Sequence, residues 1–323
     1  MLHDARRARP ALLVIAGPTA TGKTELAIRV AEALRDDGLD VGVVSADSRQ
    51  VYRGLDIGTA KPSLAERRGV PHHGLDLVEP DEPFSVADFV RHADDVLGAT
   101  AAAGGRLAIL AGGTGLYLRG VARGLDVEAL PSDPVRRARI ERELLDLGLE
   151  RAVAGLRAIA PSRAAAIDLR NPRRVARAIE IAELLGDGPP PAPIGYAGPV
   201  AWIGLDLAPA THREWIERRA RAQFEAGLIE EARQLRGRFD PSLPAFTAIG
   251  YREAWALIDG ELDLEAAIEA DARRNVAFAR RQRTWFRSEP GIRWLDAAGT
   301  PADEATTVAR GLLEGGGAPG MPR

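Results

Sequence analysis

The chain is 323 residues long and 46% apolar, with no cysteine and a formal net charge of −3. That length fits one large domain or a core with a smaller one attached, and the missing cysteine excludes disulfides and thiolate metal sites. The charge leaves no footprint for nucleic acid on the chain as a whole, and no apolar run approaches the roughly 20 residues of a bilayer span, so a cytoplasmic protein with no membrane partner is expected.

In chain order, MLHDARRARP is charged and leads directly into an apolar stretch at 12–16, without the apolar core of a signal peptide. This stretch reads as a strand, and GPTATGKT at 17–24 follows it and opens a helix over 23–35. A second strand is expected at 41–45, followed closely by Asp47, and His72-His73 reads as a polar loop pair and not as a metal site. A helix at 86–97, a strand at 107–111 and a helix at 116–123 complete an alternating pattern that predicts an α/β fold with a parallel sheet. From 131 to 185 the strand signal disappears, and 11 arginines stand against seven acidic residues between Pro131 and Glu180. On charge alone that stretch is as well explained by a solvated helix face as by a nucleic-acid contact. GDGPPPAPIGYAGP at 186–199 reads as a stiff connector back to a strand at 200–205. Thr211 and Glu214 have capping-box spacing, which predicts a helix from there to about 236. Helices are expected at 251–258, 264–269 and 271–286, with Trp285 and Phe286 read as core, and the glycine-rich tail GGGAPGMPR as disordered. The predicted organisation is thus a P-loop core at 10–125 and 196–296, a helical insertion at 126–195, and a C-terminal helix and tail at 297–323.

A strand, a glycine-rich loop carrying Lys and Thr, and a helix form a phosphate-binding unit. Backbone N–H groups between Gly17 and Thr24 face inward to bind oxyanions, the helix start adds positive potential, and the Thr24 hydroxyl suits Mg²⁺. All of the 43 basic residues are arginine except Lys23 and Lys61. A compact ammonium fits between phosphate oxygens where a planar guanidinium does not, which gives Lys23 its reason and raises the same question for Lys61. The strand at 107–111 runs into Ala111-Gly112-Gly113-Thr114 with no acid, which argues against a nucleotide hydrolase. Asp47 lies instead at the C-terminal end of the second strand, the edge where open α/β sheets bind ligands.

Several segments together resemble the bacterial tRNA dimethylallyltransferase (tRNA isopentenyltransferase) family: GPTATGKT, SADSRQVYRGLDIGTAKP at 45–62, AGGTGLYLRGVARGL at 111–125, NPRRVARAIE at 171–180, FTAIGYRE at 246–253 and RRQRTWFR at 280–287. The resemblance implies transfer of a dimethylallyl group from dimethylallyl diphosphate to the exocyclic amine of the adenosine just 3′ of the anticodon, in tRNAs that read codons beginning with U. The phosphate loop would then hold a leaving diphosphate, with Mg²⁺ on Thr24. By matching position, Gly17, Pro18, Thr19, Ala20, Thr21, Gly22, Lys23 and Thr24, together with Arg219, would form the diphosphate site. Asp47 would be the base, and Lys23, Thr114 and Arg219 would share the catalytic centre. Contacts to tRNA would come from Asp47, Ser48, Arg49, Gln50, Thr114, Arg136, Arg173, Arg174, Val175, Ala176 and Arg177, and from Thr247, Ala248, Ile249, Gly250, Tyr251 and Arg252. Arg218 and Arg221 flank Arg219, so a slip of alignment would move that assignment.

Three other readings use the same loop. A small-molecule P-loop kinase would place ATP there but leaves GGTGLY unexplained; an adenylate isopentenyltransferase would not need the arginine-bearing insertion; a noncatalytic RNA-binding protein would not need Lys23, Thr24 and Asp47 intact. The expected partners are tRNA and dimethylallyl diphosphate, and a monomer is expected.

Overall fold

The computed structural model describes residues 9–127, 129, 131–189 and 191–314. In chain order its elements are β1 (Ala11–Ala16), α1 (Lys23–Asp36), β2 (Val43–Ser45), β3 (His72–His73), α2 (Val86–Ala102), β4 (Leu107–Gly112), α3 (Gly115–Ala122), α4 (Pro134–Leu147), α5 (Leu149–Ile159), α6 (Pro161–Ala165), α7 (Pro172–Leu185), β5 (Val200–Asp206), α8 (Pro209–Glu225), α9 (Leu228–Arg236), α10 (Tyr251–Ile258), α11 (Leu264–Arg287), β6 (Ile292–Asp296) and α12 (Pro301–Glu314). They form two compact units, residues 1–123 with 195–323, and residues 124–194.

The larger unit is built on a parallel sheet of order β3-β2-β4-β1-β5-β6. Central β1 is buried along its whole length between β4 and β5, which is why ALLVIA is a continuous apolar run: a parallel strand covered on both faces has no polar side to show. Helix α1 lays Leu26, Ala27, Val30, Ala31 and Leu34 on the sheet at helical spacing, and Ala305 and Ala309 of α12 enter the same core. The C-terminal helix is therefore part of this unit.

Local chemistry explains where the observed elements depart from expectation. His72-His73 is not loop but a two-residue edge strand paired with Val43 and Val44, too short to show a period. β6 was not expected; it pairs with β5 from Trp202↔Ile292 to Asp206↔Asp296 as an edge strand, and only Leu295 of its five residues is buried. Thr211 opens no helix, because Pro209 takes the first helical position behind Ala208. The helix expected to run to 236 stops at Glu225, where Gly227 at φ 107° turns the chain before α9. The two helices expected at 264–269 and 271–286 are one helix, α11, with Asp271 buried in its middle.

In the smaller unit, α4 to α7 close over Leu156, Ala160, Ala164, Val175, Ala178 and Ala182. Glu180, fully buried, accepts the Asp133 N–H at 2.8 Å and pairs with Arg137 at 2.8 Å and Arg177 at 2.7 Å. Glu183 pairs with Arg136 at 2.7 Å and Arg139 at 2.6 Å. Part of the arginine surplus of this stretch is thus matched internally. The connector and C-terminal tail reach positions outside the described residues; 315–323, read from sequence as disordered, lies wholly outside them.

Candidate active site

The carboxyl ends of β1, β2 and β4 carry the three loops that meet at the site. After β1, Gly17 at φ 149° passes so close to β5 that a Cβ there would lie 2.7 Å from the Leu205 carbonyl oxygen. Only glycine fits, and the loop turns over the end of the sheet. Thr21 Oγ1 donates to the Pro18 carbonyl at 2.9 Å and Lys23 Nζ donates to it at 2.6 Å.

After β2, the Asp47 carboxylate accepts the Arg49 N–H at 2.8 Å, a turn that fixes its direction. After β4, Thr114 Oγ1 accepts the Ser48 N–H at 3.0 Å and the Thr114 N–H donates to the Ala46 carbonyl at 3.1 Å, joining the GGTG segment to the Asp47 loop. The glycines make that junction possible: a Cβ on Gly112 would lie 2.1 Å from the Ala46 oxygen, one on Gly113 2.5 Å from Gln282 Nε2, and one on Gly115 2.3 Å from the Trp285 ring. Trp285 is half-buried under Arg119, 4.5 Å from its centroid, and Phe286 is fully buried.

Two cavities result. One, of about 520 Å³, is lined by Thr19, Ala20, Gly22, Lys23 and Thr24 with Arg218 and Arg219; the other, of about 390 Å³, by Ser48, Arg49, Thr114, Thr247, Ala248 and Ile249. Thr19, Asp47, Thr59, Arg219, Phe278 and Gln282 line both, so the two cavities meet along a shared wall that includes Asp47. Arg219 donates to Thr19 Oγ1 at 2.8 Å and lines both cavities, Arg218 lines the cradle alone, and Arg221 is engaged with Glu265 at 2.6 Å on the surface.

Burial pushes the Lys23 ammonium down to about 7, with the Asp47 charge opposing the fall and the Arg219 charge adding to it. Burial also lowers Arg219 from its ordinary value, against the pull of Asp47 and Asp271. Asp271, behind Arg219 on α11, is pushed up to about 6 by burial, while the Asn275 hydrogen bond at 2.7 Å draws it down. The site thus gathers partly buried positive charge, an arrangement that an incoming polyanion stabilises.

Some residues assigned by resemblance stand elsewhere. Gly17, Pro18 and Thr21 shape the phosphate loop and do not line the cavity. Gln50 lines the cradle cavity and also braces the Asp47 loop, its amide oxygen accepting from Ser45 Oγ at 2.8 Å and its NH2 donating to the Thr59 and Ala60 carbonyls at 3.1 and 3.2 Å. Tyr251 is fully buried against Gly58 with its hydroxyl on Glu231 at 2.7 Å, and Val175 and Ala176 are buried in the smaller unit; packing withdraws these three side chains from any RNA. Gly250 is buried at φ 109° with its N–H on Glu253 at 3.0 Å, where it opens α10. Arg252, Arg173 and Arg174 are exposed, and Arg136 is partly exposed beside Glu183.

Gln282 and Glu231 matter although sequence reading passed over them, and Lys61, which sequence singled out, has a structural role. Gln282 accepts the Thr19 N–H at 2.8 Å and donates to the Gly113 carbonyl at 2.9 Å, bridging two of the three loops. Glu231 accepts three successive N–H groups, of Asp56, Ile57 and Gly58, at 3.2, 2.8 and 3.1 Å, and so holds the DIGTAKP loop. Lys61 is buried between Asp56 at 2.6 Å and Asp76 at 2.5 Å and donates to the Tyr52 carbonyl at 2.9 Å; its lysine cross-links a loop. A polar residue in a motif shows that it matters, but not which backbone group it reaches across more than a hundred residues of chain.

Among the described residues no helix is long and apolar enough to cross a membrane. The sequence model described as IPP transferase matches residues 50–289. A tRNA dimethylallyltransferase of Anaeromyxobacter sp. (strain K) is 45% identical over 310 residues, 94% of this chain and 97% of that protein. The crystal structure of the tRNA isopentenylpyrophosphate transferase from Bacillus halodurans superposes with a TM-score of 0.69 at 37% identity, covering 95% of this chain and 97% of that one. A eukaryotic dimethylallyltransferase solved acting on tRNA has the same fold, with a TM-score of 0.73 at 22% identity over 94% of this chain and 78% of that one. With its phosphate loop, its Asp47 loop and its GGTG junction inside one matched architecture, the chain belongs to the IPP transferase family.

Proposed function

We propose that this enzyme transfers a dimethylallyl group from dimethylallyl diphosphate to the exocyclic N6 amine of the adenosine 3′-adjacent to the anticodon, in tRNAs that read codons starting with U, releasing diphosphate. The observation that carries the reading is the meeting of the two cavities at Asp47: the cradle built by Lys23, Thr24 and the loop backbone opens onto a pocket walled by Ser48, Arg49 and Thr114.

The N6 lone pair attacks the allylic carbon, the carbon–oxygen bond breaks, and its electron pair leaves on the diphosphate. Negative charge grows on that leaving group, so Lys23, Arg219 and the loop N–H groups stabilise the transition state more than the ground state. The adenine amine is weakly nucleophilic because its lone pair is delocalised into the ring. Asp47, oriented by the Arg49 N–H, accepts its proton as the new bond forms. Phe278 lines both cavities and offers an apolar surface to the allyl group between them. A target base reaches Asp47 by leaving its stack, which costs least in a single-stranded anticodon loop.

Thr24, in the first turn of α1 and lining the cradle, offers a hard oxygen of the kind Mg²⁺ takes alongside phosphate oxygens, and no carboxylate or histidine cluster among the described residues competes for the ion. When bound there, Mg²⁺ supplies charge neutralisation to the diphosphate. A tRNA substrate supports a cytoplasmic location.

The test offers the purified protein dimethylallyl diphosphate with a labelled allyl group, together with Mg²⁺ and either unmodified tRNA or AMP. Label in tRNA alone supports the proposal. Label in AMP moves the acceptor to a free nucleotide, and label in neither, with ATP consumed in its place, returns the loop to a kinase.

A further inference from the structure

Thr19 is gripped at every polar atom. Its N–H donates to Gln282 Oε1 at 2.8 Å, its hydroxyl accepts from Arg219 at 2.8 Å, and its carbonyl oxygen lies 2.8 Å from His212 Nε2. His212 and Arg219 are seven residues apart on α8, two helical turns, and so reach the same loop residue from one face. The next residue, Ala20, has φ 59°, a left-handed conformation that a residue with a Cβ seldom adopts and that its surroundings must enforce.

The protonation of His212 follows from its partners. A carbonyl oxygen only accepts, so Nε2 carries the hydrogen. Arg283 Nη2, 3.2 Å from Nδ1, only donates, so Nδ1 is bare. Arg283 is itself aimed by Asp206 at the end of β5, at 2.7 Å, and by the Leu207 carbonyl at 3.0 Å. The neutral Nε2–H tautomer alone satisfies both neighbours.

We propose that His212 is a positioning residue for the diphosphate: locked as the Nε2–H tautomer between Arg283 and the Thr19 carbonyl, it sets the plane of the Thr19–Ala20 peptide. In a planar trans peptide the N–H points opposite to the C=O, so holding the carbonyl toward α8 turns the Ala20 N–H away from α8 to serve as a donor to phosphate oxygen. Ala20 lines the phosphate cavity. His212 touches no substrate; it acts through the backbone it holds. The inference rests on the phosphate loop being the diphosphate site.

The test measures binding of inorganic pyrophosphate by calorimetry, and of tRNA by filter retention, to the full chain and to His212→Leu, His212→Gln and Lys23→Ala. His212→Leu should weaken pyrophosphate about tenfold, the effect of one charge-assisted hydrogen bond, and leave tRNA affinity within about twofold. His212→Gln, whose amide offers an NH2 to donate to the Thr19 carbonyl and an oxygen to accept from Arg283, should recover most of the loss. Wild-type affinity in His212→Leu, or a glutamine variant as weak as leucine, overturns the proposal. Imidazole nitrogen shifts of the wild-type protein, which do not depend on any variant folding, should show the neutral Nε2–H form at pH 7.5; the other tautomer or a doubly protonated ring overturns it too. Undiminished pyrophosphate binding in Lys23→Ala rejects the loop as the diphosphate site, whereas a loss there with none in His212→Leu rejects only the role of His212.

Discussion

Asp47 and Lys23 both line the cradle, near enough for the Asp47 charge to act on the ammonium, and they do different work. Asp47 acts on one proton of one amine. Asp47→Ala should therefore cut turnover by roughly 10² to 10⁴ and leave the dissociation constant for tRNA within about twofold, measured by single-turnover kinetics beside equilibrium binding. Equal losses in both would reject the base assignment. Lys23 makes binding pH-dependent in a direction that can be worked out. Burial holds it near 7, so the protein alone loses the charge as pH rises through 7, while a bound diphosphate favours the charged form. Pyrophosphate affinity should be fullest below pH 7 and fall as pH rises above it, with protons taken up on binding near neutrality. Calorimetry in buffers of different ionisation enthalpy would reveal the uptake. A pH-independent affinity between 6 and 9 would show that the ammonium is not needed in its charged form.

At the scale of elements, α11 is the piece that ties the site together. Gln282 is buried and joins the loop after β1 to the loop after β4, so removing its amide leaves the Thr19 N–H and the Gly113 carbonyl without partners. Gln282→Ala should lower unfolding stability by about 1 to 3 kcal/mol, read from urea midpoints at unchanged slope, and should weaken pyrophosphate binding as well. An unchanged midpoint would mean that water replaces the amide at no cost. The same element shows what sequence makes legible. β1, β4 and β5 announce themselves as apolar runs because both faces are covered, and Gly17, Lys23 and Thr24 follow from the chemistry of phosphate. β3 has two residues and β6 one buried side chain, so neither carries a period to read. The grip on Thr19 was not legible because His212, Arg219 and Gln282 come from 193, 200 and 263 positions away, and only the packing of α8 and α11 brings them to one residue.

For the whole molecule, charge distribution matters more than its sum. A chain of net charge −3 binds a polyanion through local arginines, and the smaller unit sorts its own. Arg136, Arg137, Arg139 and Arg177 are held by Glu180 and Glu183, which fixes the helices. Arg173 and Arg174 stand exposed in the first turn of α7, where Asn171 caps the helix through their backbone N–H groups and their side chains extend into solvent. If these two meet phosphates, each displaces counterions from the RNA on binding. Arg173→Ala with Arg174→Ala should weaken tRNA about uniformly across sequences and reduce the salt dependence of log affinity by up to about two units. Pyrophosphate affinity and turnover at saturating tRNA should not change, since neither residue lines the site. Titrating tRNA at four salt concentrations decides it. A parallel shift of the line with the slope unchanged would mean that the pair acts by shape and not by charge, and no shift at all would move the RNA contact off the first turn of α7.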